Sequence, residues 1–573
     1  MRRAPESRTG LSRRSLLKGS VAAGVAAALA PAVTLGSSAG PGGQPLVSPD
    51  APDGSGEADL ILHNGKIHTM DADGTVARAV TVRNGRIVSV GDGVKAGGKA
   101  RKINLHGATV VPGIIDNHNH IVLMGNRPGH HTPLENAYSI ADVQATYAAR
   151  AAEIPAGGWI TTIGGFHFNH LAEVRLPTLA ELDAAVPDNP AYISISFAGP
   201  SVTNSLGKAF LEAANPPVTV GADGSIAAGF GDSPTGRATL ALRRALLTPE
   251  TRRRGAIDAL AYGLGLGVTT HLDQGAFQKT DSPSDGAAHE DNYSMHLPFL
   301  DLYREGLAPA RLRINFLHME SDPATPELVA RLQNQFPFFG GEWVKTGGIG
   351  EFIANTPGPA GNPSAQFVNA ATRIAERGWR AEVHSLSATD FQAEIQGFEA
   401  ANAAFPITDL RWVVAHVPLI NEEYTNRLNA LGGGLSLTGW RYLAGNLGAV
   451  PSGPPFRMIV DNGINAGMSS DGMQIAPMNP WIHMYYATTG LNGRGVEINF
   501  GQQITREEVL RLYTSRNGWF LREEDDLGSI EEGKLADLVV LNDDYFTVDD
   551  VRTIRSVLTV VGGLGVHDEG VVD

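Results

Sequence analysis

The chain of 573 residues contains no cysteine. This excludes disulfides, thiolate metal ligands and cysteine nucleophiles, so any metal has to rest on His, Asp, Glu or Lys. It also excludes lipid anchoring through a cysteine. Positive charge is scarce: 45 Lys and Arg stand against 60 Asp and Glu, a formal net charge of −15. Residues 1–39 hold six basic residues and one acid, so removing their net +5 leaves the rest of the chain near −20. That balance argues against nucleic acid or an anionic membrane as a partner. Long, strongly apolar runs are also missing. The one candidate, residues 19–36, is rich in Ala and Gly and too weakly hydrophobic for a permanent membrane span. The apolar share of 42% and charged share of 18% are those of an ordinary soluble globular chain, and 68 glycines imply many turns.

What is present begins with an address. Ser12-Arg13-Arg14-Ser15-Leu16-Leu17-Lys18 resembles a twin-arginine export signal, and Ser37-Ser38-Ala39 offers a cleavage site. Residues 1–39 are expected to be removed, leaving an extracellular or periplasmic protein with no stable membrane insertion. Residues 40–56, rich in Gly, Pro, Ser and Asp, read as a flexible linker.

From residue 58 onward short β-prone runs alternate with tight turns. Leu60-Ile61-Leu62-His63 meets Asn64-Gly65, and Ala79-Val80-Thr81-Val82-Arg83 meets Asn84-Gly85. Asn-Gly between β-prone runs is a strong hairpin signal, so two hairpins are predicted here. Near the other end, Gly528-Ser529-Ile530-Glu531-Glu532-Gly533-Lys534-Leu535-Ala536-Asp537 feeds a strand through Leu541, and residues 556–561 read as another. Both ends are expected to pair into one small β-sandwich domain, covering 57–112 and 526–573.

The central 113–525 alternates apolar strand-like runs with amphipathic helical stretches. The strand-like runs are 110–115, 191–197, 267–271, 313–318, 343–346, 379–384, 411–416 and 466–470; helices are predicted at 140–154, 178–186, 325–335, 364–377, 421–431 and 505–512. Repeated β-then-α units with near-continuous apolar strands argue for a parallel sheet, and a count near eight predicts a (β/α)8 TIM barrel.

Several of these runs end on residues of metal-ligand type. In Val110-Val111-Pro112-Gly113-Ile114-Ile115-Asp116-Asn117-His118-Asn119-His120 the two histidines stand at i and i+2, so on a strand they face the same way. Trp343-Val344-Lys345 ends on lysine, Arg380-Ala381-Glu382-Val383-His384 and Trp412-Val413-Val414-Ala415-His416 end on histidine, and Gly467-Met468-Ser469-Ser470-Asp471-Gly472 presents an aspartate. A barrel brings the C-terminal ends of its strands to one mouth, where active sites lie. Phe166, Phe168, Trp440 and Tyr442, with Arg441 as a polar anchor, are candidates to line a pocket for an apolar substrate. His130, His131, His167, His170 and His271 carry no assigned role.

On these motifs, with Arg175-Leu176-Pro177-Thr178-Leu179-Ala180-Glu181-Leu182-Asp183 and the C-terminal GSIEEGKLADLVVL, residues 57 to 565 resemble the amidohydrolase superfamily. Within it they resemble the large subgroup that contains N-substituted formamide deformylase. The resemblance implies a divalent metal site, one or two ions per chain with zinc foremost. His118 and His120 would hold the first metal, His384 and His416 the second, and Lys345 would bridge them as a carbamate. Asp471 would ligate the first metal and shuttle a proton from the attacking water to the leaving amine.

The resemblance further implies hydrolysis of a non-peptide amide of a small molecule. A cyclic amide, an ester or an amino-substituted ring is the alternative within enzymes. A catalytically silent exported binding protein is the alternative outside them. A homo-oligomer is compatible with either. Three stretches depart from the subgroup pattern: Thr346-Gly347-Gly348-Ile349-Gly350-Glu351 after the lysine, Phe197-Ala198-Gly199-Pro200, and Leu437-Thr438-Gly439-Trp440. All three are expected on substrate-facing loops.

Overall fold

The computed structural model of the protein describes residues 59–92, 100–275, 292–444 and 450–573. The expected export signal and linker lie outside the described residues.

The two chain ends meet in one sheet. β1 (Leu60–His68), β2 (Val76–Arg83), β3 (Arg86–Gly91), β4 (Arg101–Asn104) and β5 (Thr109–Pro112) come from the N-terminal side. The eight-stranded order is β21-β20-β19-β5-β1-β2-β3, with β4 also on β1. The last three strands are β19 (Leu538–Leu541), β20 (Ser556–Val561) and β21 (Leu564–Asp568). Antiparallel pairing of β5 with β19, Val111 opposite Val539, joins the ends as expected.

Only one of the two predicted hairpins forms. Asn84 and Gly85, with φ of 48° and 74°, turn β2 into β3. Asn64-Gly65 instead lies inside β1, where Asn64 at φ 58° makes an irregularity in the pairing with β2 and the strand runs on. Leu105 presses against Gly65 where a β-carbon would sit, so the glycine serves a close approach there.

Eight parallel strands form the central body in two sheets of four. The first has the order β14-β13-β12-β6, made of β6 (Ile114–Asn119), β12 (Val268–Asp273), β13 (Arg311–Phe316) and β14 (Val344–Ile349). The second runs β15 (Glu382–Ser385), β16 (Val413–His416), β17 (Gly434–Thr438) and β18 (Asn465–Ser469) in sequence order. Ladder pairing is interrupted between the two sheets, but both seams carry contacts. Ile349 N donates to Arg380 O and His384 N to Glu351 O, both at 2.9 Å, and across the other seam Asp471 N donates to His118 O at 2.9 Å. β12 and β16 are buried at every position, as near-continuous apolar strands covered on both faces should be.

One predicted central strand belongs elsewhere, and one was not predicted. Residues 191–194 form β9 of a separate five-stranded sheet, ordered β11-β10-β9-β8-β7. Its other members are β7 (His130–His131), β8 (Ile160–Ile163), β10 (Ser201–Thr203) and β11 (Ser225–Ile226). The eighth central strand is β17, read from sequence as a loop. Both segments are wholly buried, so burial pattern alone does not say which sheet an apolar run joins.

Helices begin at side-chain caps. Ser139 accepts from Asp142 N ahead of Ile140–Glu153, and Thr178 with Glu181 forms a capping box ahead of Leu179–Ala185. The remaining predicted helices are found at Pro326–Asn334, Ala365–Glu376, Glu422–Ala430 and Arg506–Tyr513.

At the start of β13 the end sheet is tied to the central body by charge. Arg311 Nε and Nη2 donate to the two Asp537 oxygens at 2.8 and 2.9 Å, with both side chains buried. Gly562 N also donates to Asp537. Removing one partner of a buried ion pair strands the other charge, which costs about 3–5 kcal/mol. Asp537→Ala is therefore expected to lower the free energy of unfolding by that amount in a denaturant titration. A shift within the error of the midpoint would mean the pair does not hold the two units together.

Candidate metal centre

Five side chains gather at the C-terminal ends of the central strands. His118 lies in β6 with His120 just beyond it. His384 and His416 lie at the ends of β15 and β16, and Asp471 follows β18 by two residues. The strand period carries His118 and His120 to one side, as their spacing predicts. Asp116, one pleat earlier, anchors the neighbouring strand: it accepts from Ser470 N at 3.0 Å and from Ser470 Oγ, which sets Asp471 beside His118.

At the centre of the group stands Glu351, a residue the sequence reading did not assign. Its Oε2 lies 2.7 Å from His384 Nδ1, 3.3 Å from His416 Nε2 and 3.5 Å from His118 Nε2. Its Oε1 lies 3.1 Å from His120 Nε2. Asp471 Oδ1 faces His120 Nε2 at 3.3 Å and His118 Nε2 at 3.7 Å. Two overlapping sets result: His118, His120, Glu351 and Asp471, and then Glu351, His384 and His416, each with ligand atoms within 4.8 Å of one another.

The structure corrects the place given to Lys345. It is the second residue of β14, and Glu351 lies six residues further on, about 20 Å along an extended strand. Lys345 Nζ donates to Glu523, which also takes the Arg313 guanidinium at 2.8 Å. A carbamate needs a free, neutral amine, whereas this one is engaged with a carboxylate away from the histidines. The Gly347-Gly348 pair hid the continuation of the strand, since glycine lowers β propensity. The departure assigned to a substrate-facing loop is thus the end of the strand that carries Glu351 to the four histidines.

Charge in the group is self-balancing. Burial alone would raise Glu351, but His384, His118 and His120 outweigh it and hold its carboxyl well below the usual range. Asp471 is likewise lowered against the effect of burial, by His416 and His120. Burial would lower His120, yet Asp471 and Glu351 carry it up to about 10. His416, fully buried, is lowered instead, with burial the largest cause. His118 Nε2 is buried and makes no hydrogen bond. Imidazole nitrogens facing carboxylates at these distances are a donor set that fits a divalent cation such as zinc.

Other predicted positions are committed to packing. Phe166 and Tyr442 are buried in the interior, Arg552 donates to the Tyr442 hydroxyl at 3.2 Å, and Arg441 donates to Ser452 at 2.9 Å while lying over the Trp440 ring. This leaves Phe168 and Trp440 as the half-buried aromatics of the proposed lining. His271 bonds Asn119 at 3.0 Å inside β12 and stands apart from the cluster. Glu382 was present in the Glu-Val-His motif but unassigned; its Oε1 lies 2.6 Å from His118 Nδ1. Its position two residues before His384, on the same face of the strand, was the available signal. A further grouping of His318, Glu320 and Glu327 follows β13, where Glu320 accepts the backbone N–H groups of Glu327 and Leu328 at the start of Pro326–Asn334.

A family model described as "Amidohydrolase family" matches residues 101–567. The chain belongs to that family. Among individual proteins it is similar to the N-substituted formamide deformylase of Arthrobacter pascens, 35% identical over 143 residues. That match spans 24% of this chain and 26% of the deformylase. Two solved structures share the fold. An uncharacterized metal-dependent hydrolase from Pyrococcus furiosus has a TM-score of 0.57 at 18% identity, covering 85% of this chain and 100% of its own. The atrazine chlorohydrolase of Arthrobacter aurescens TC1, complexed with zinc, has a TM-score of 0.51 at 16% identity, covering 89% of this chain and 95% of its own.

An imidazolium raised to about 10 stabilises the fold in full below its unfolded value near 6.5 and loses that contribution as pH climbs through 10. The thermal midpoint of chelator-treated protein is therefore expected to fall as pH is raised from about 7 to about 10, and His120→Gln is expected to lack this component. Identical pH profiles for the two proteins would exclude the network as a source of stability.

Proposed function

We propose that this protein is an exported amidohydrolase that cleaves a non-peptide amide bond in a small molecule. The observation that carries the reading is Glu351, a buried carboxylate ringed by four imidazoles with Asp471 at its side. His118, His120, Glu351 and Asp471 would hold one divalent metal, and Glu351, His384 and His416 a second, with zinc the favoured ion. Bound there, the metal supplies Lewis acidity that polarises the substrate carbonyl and lowers the pKa of the attacking water. Glu351, common to both sets, would hold the ions in the place of a carboxylated lysine, with no need of carbon dioxide. Asp471, low in pKa and at the rim of the group, accepts the proton of the attacking water and returns it to the leaving nitrogen.

The scaffold that serves this chemistry is read as a closed (β/α)8 barrel, supported by hydrogen bonds across both seams. The end sheet is read as a sandwich, because Leu60, Val80, Ile103, Leu538 and Val560 share one apolar cluster, as a sheet curled over itself would arrange. Domain limits of 57–112, 113–525 and 526–573 follow, behind a signal at 1–39 and a linker at 40–56. The charge of the mature chain supports a small-molecule partner over nucleic acid.

The test is elemental analysis of purified protein with parallel assays on N-substituted formamides, other simple amides and esters. Glu351→Ala is expected to lose most of the bound metal, and Lys345→Met to retain it. Asp471→Asn is expected to keep the metal but lower kcat by about 10²–10⁴-fold, the usual worth of a positioned general base. A wild type that takes up no metal even after reconstitution would overturn the reading, and turnover of esters alone would replace the amide.

A further inference from the structure

The groups behind the four histidines differ in kind; His120 Nδ1 faces the Gly275 carbonyl at 3.4 Å. His118 Nδ1 has an anion, Glu382, at 2.6 Å. The second Glu382 oxygen takes Arg380 Nη2 at 2.6 Å and Asn315 Nδ2 at 3.3 Å, and the Arg380 and Glu382 side chains are wholly buried. His416 Nδ1 instead faces the neutral Thr438 hydroxyl at 3.4 Å. His384 turns Nδ1 itself onto Glu351, and its side chain is 27% exposed.

We propose that the row Arg380–Glu382–His118 makes the two halves of the metal centre unequal, so that the half built on His118, His120 and Asp471 fills first and more tightly than the half built on His384 and His416. This rests on the metal-dependent reading above. Glu382 is a positioning residue. A carboxylate on Nδ1 keeps the proton there and aims the Nε2 lone pair at Glu351 and Asp471. It also makes the imidazole a stronger donor, and such outer partners are worth about 10–100-fold in metal affinity. Arg380 compensates the buried charge of Glu382, and the Asn315 amide adds a second donor to the same oxygen. Behind His416 a hydroxyl at 3.4 Å supplies neither the charge nor the short bond. The arrangement is assembled only in the fold, since Glu382 and His118 lie 264 positions apart.

Zinc titrations of the metal-free full chain, read by chelator competition, test this on wild type, Glu382→Gln and His416→Ala. Wild type is expected to bind in two resolved steps. Glu382→Gln, which keeps the shape but not the charge, should weaken the first step by about 10–100-fold and leave the second unchanged. His416→Ala should remove the second step alone. Glu382→Gln also strands the buried Arg380 charge, so its metal-free thermal midpoint is expected to fall; the readout that a purely structural ion pair would not move is the selective loss of the first zinc step in protein that is still folded.

Two equal steps in wild type, or a first step unmoved by Glu382→Gln, overturns the inequality while leaving the metal centre intact. No zinc binding by wild type overturns the metal reading and this proposal with it. If Glu382→Gln does not fold, Glu382→Asp, which keeps the charge but shortens its reach, is read in the same way.

Discussion

A buried carboxylate needs compensating charge, and the placement of Glu351 among four imidazoles is the constraint from which the rest of this structure can be understood. An isolated ion in a protein interior costs several kcal/mol even after relaxation. Glu351 avoids that cost through four histidine nitrogens within 3.5 Å, contributed by β6 and its end, β15 and β16. β6 and β15 are edge strands of the two sheets, one at each seam, and β16 is an interior strand of the second. The polar centre and the strand arrangement are therefore interdependent: the strands deliver the ligands, and the ligands share one acid that only this arrangement can surround.

Charge at the other end of the strands serves a different purpose. Lys345 and Arg313 converge on Glu523 near the starts of β13 and β14, while Arg311 meets Asp537 of the end sheet. These pairs are closed, donor matched to acceptor, and leave no group free to act on a ligand. The polar atoms at the C-terminal ends have no such closure, since one carboxylate is shared by four rings. Excess donor capacity at one end and satisfied pairing at the other is the physical difference between a site and a brace.

The family match extends over most of the chain and covers strands, seams and ligands, whereas the identity to the deformylase is confined to 143 residues. Loop residues around the mouth differ in what they do here: Arg441 and Tyr442 are engaged with Ser452 and Arg552 and brace the loop itself.

Much of the frame was legible in the amino-acid order. The His-x-His pair, the two strand-ending histidines, the Ser-Ser-Asp segment and the amphipathic helical stretches are local patterns, and period-2 and period-3.6 rules read local patterns well. Pairing of the two chain ends was legible as well, because both carry β-prone runs of one character. Tertiary structure decided what depends on contacts between distant segments. Residues 191–194 and 434–438 are equally buried, and only their neighbours place one in the side sheet and the other between β16 and β18. Asn64-Gly65 and Asn84-Gly85 share a signal, but Leu105 packed on Gly65 keeps the first in a running strand. Lys345 and Glu351 stand six residues apart, and the extension of β14 past two glycines carries the acid, not the amine, to the four imidazoles. By itself the sequence determined which residue types were available to bind a metal; the course of one strand decided which of them reached the histidine cluster, because side chains point where the backbone ends and not where composition suggests.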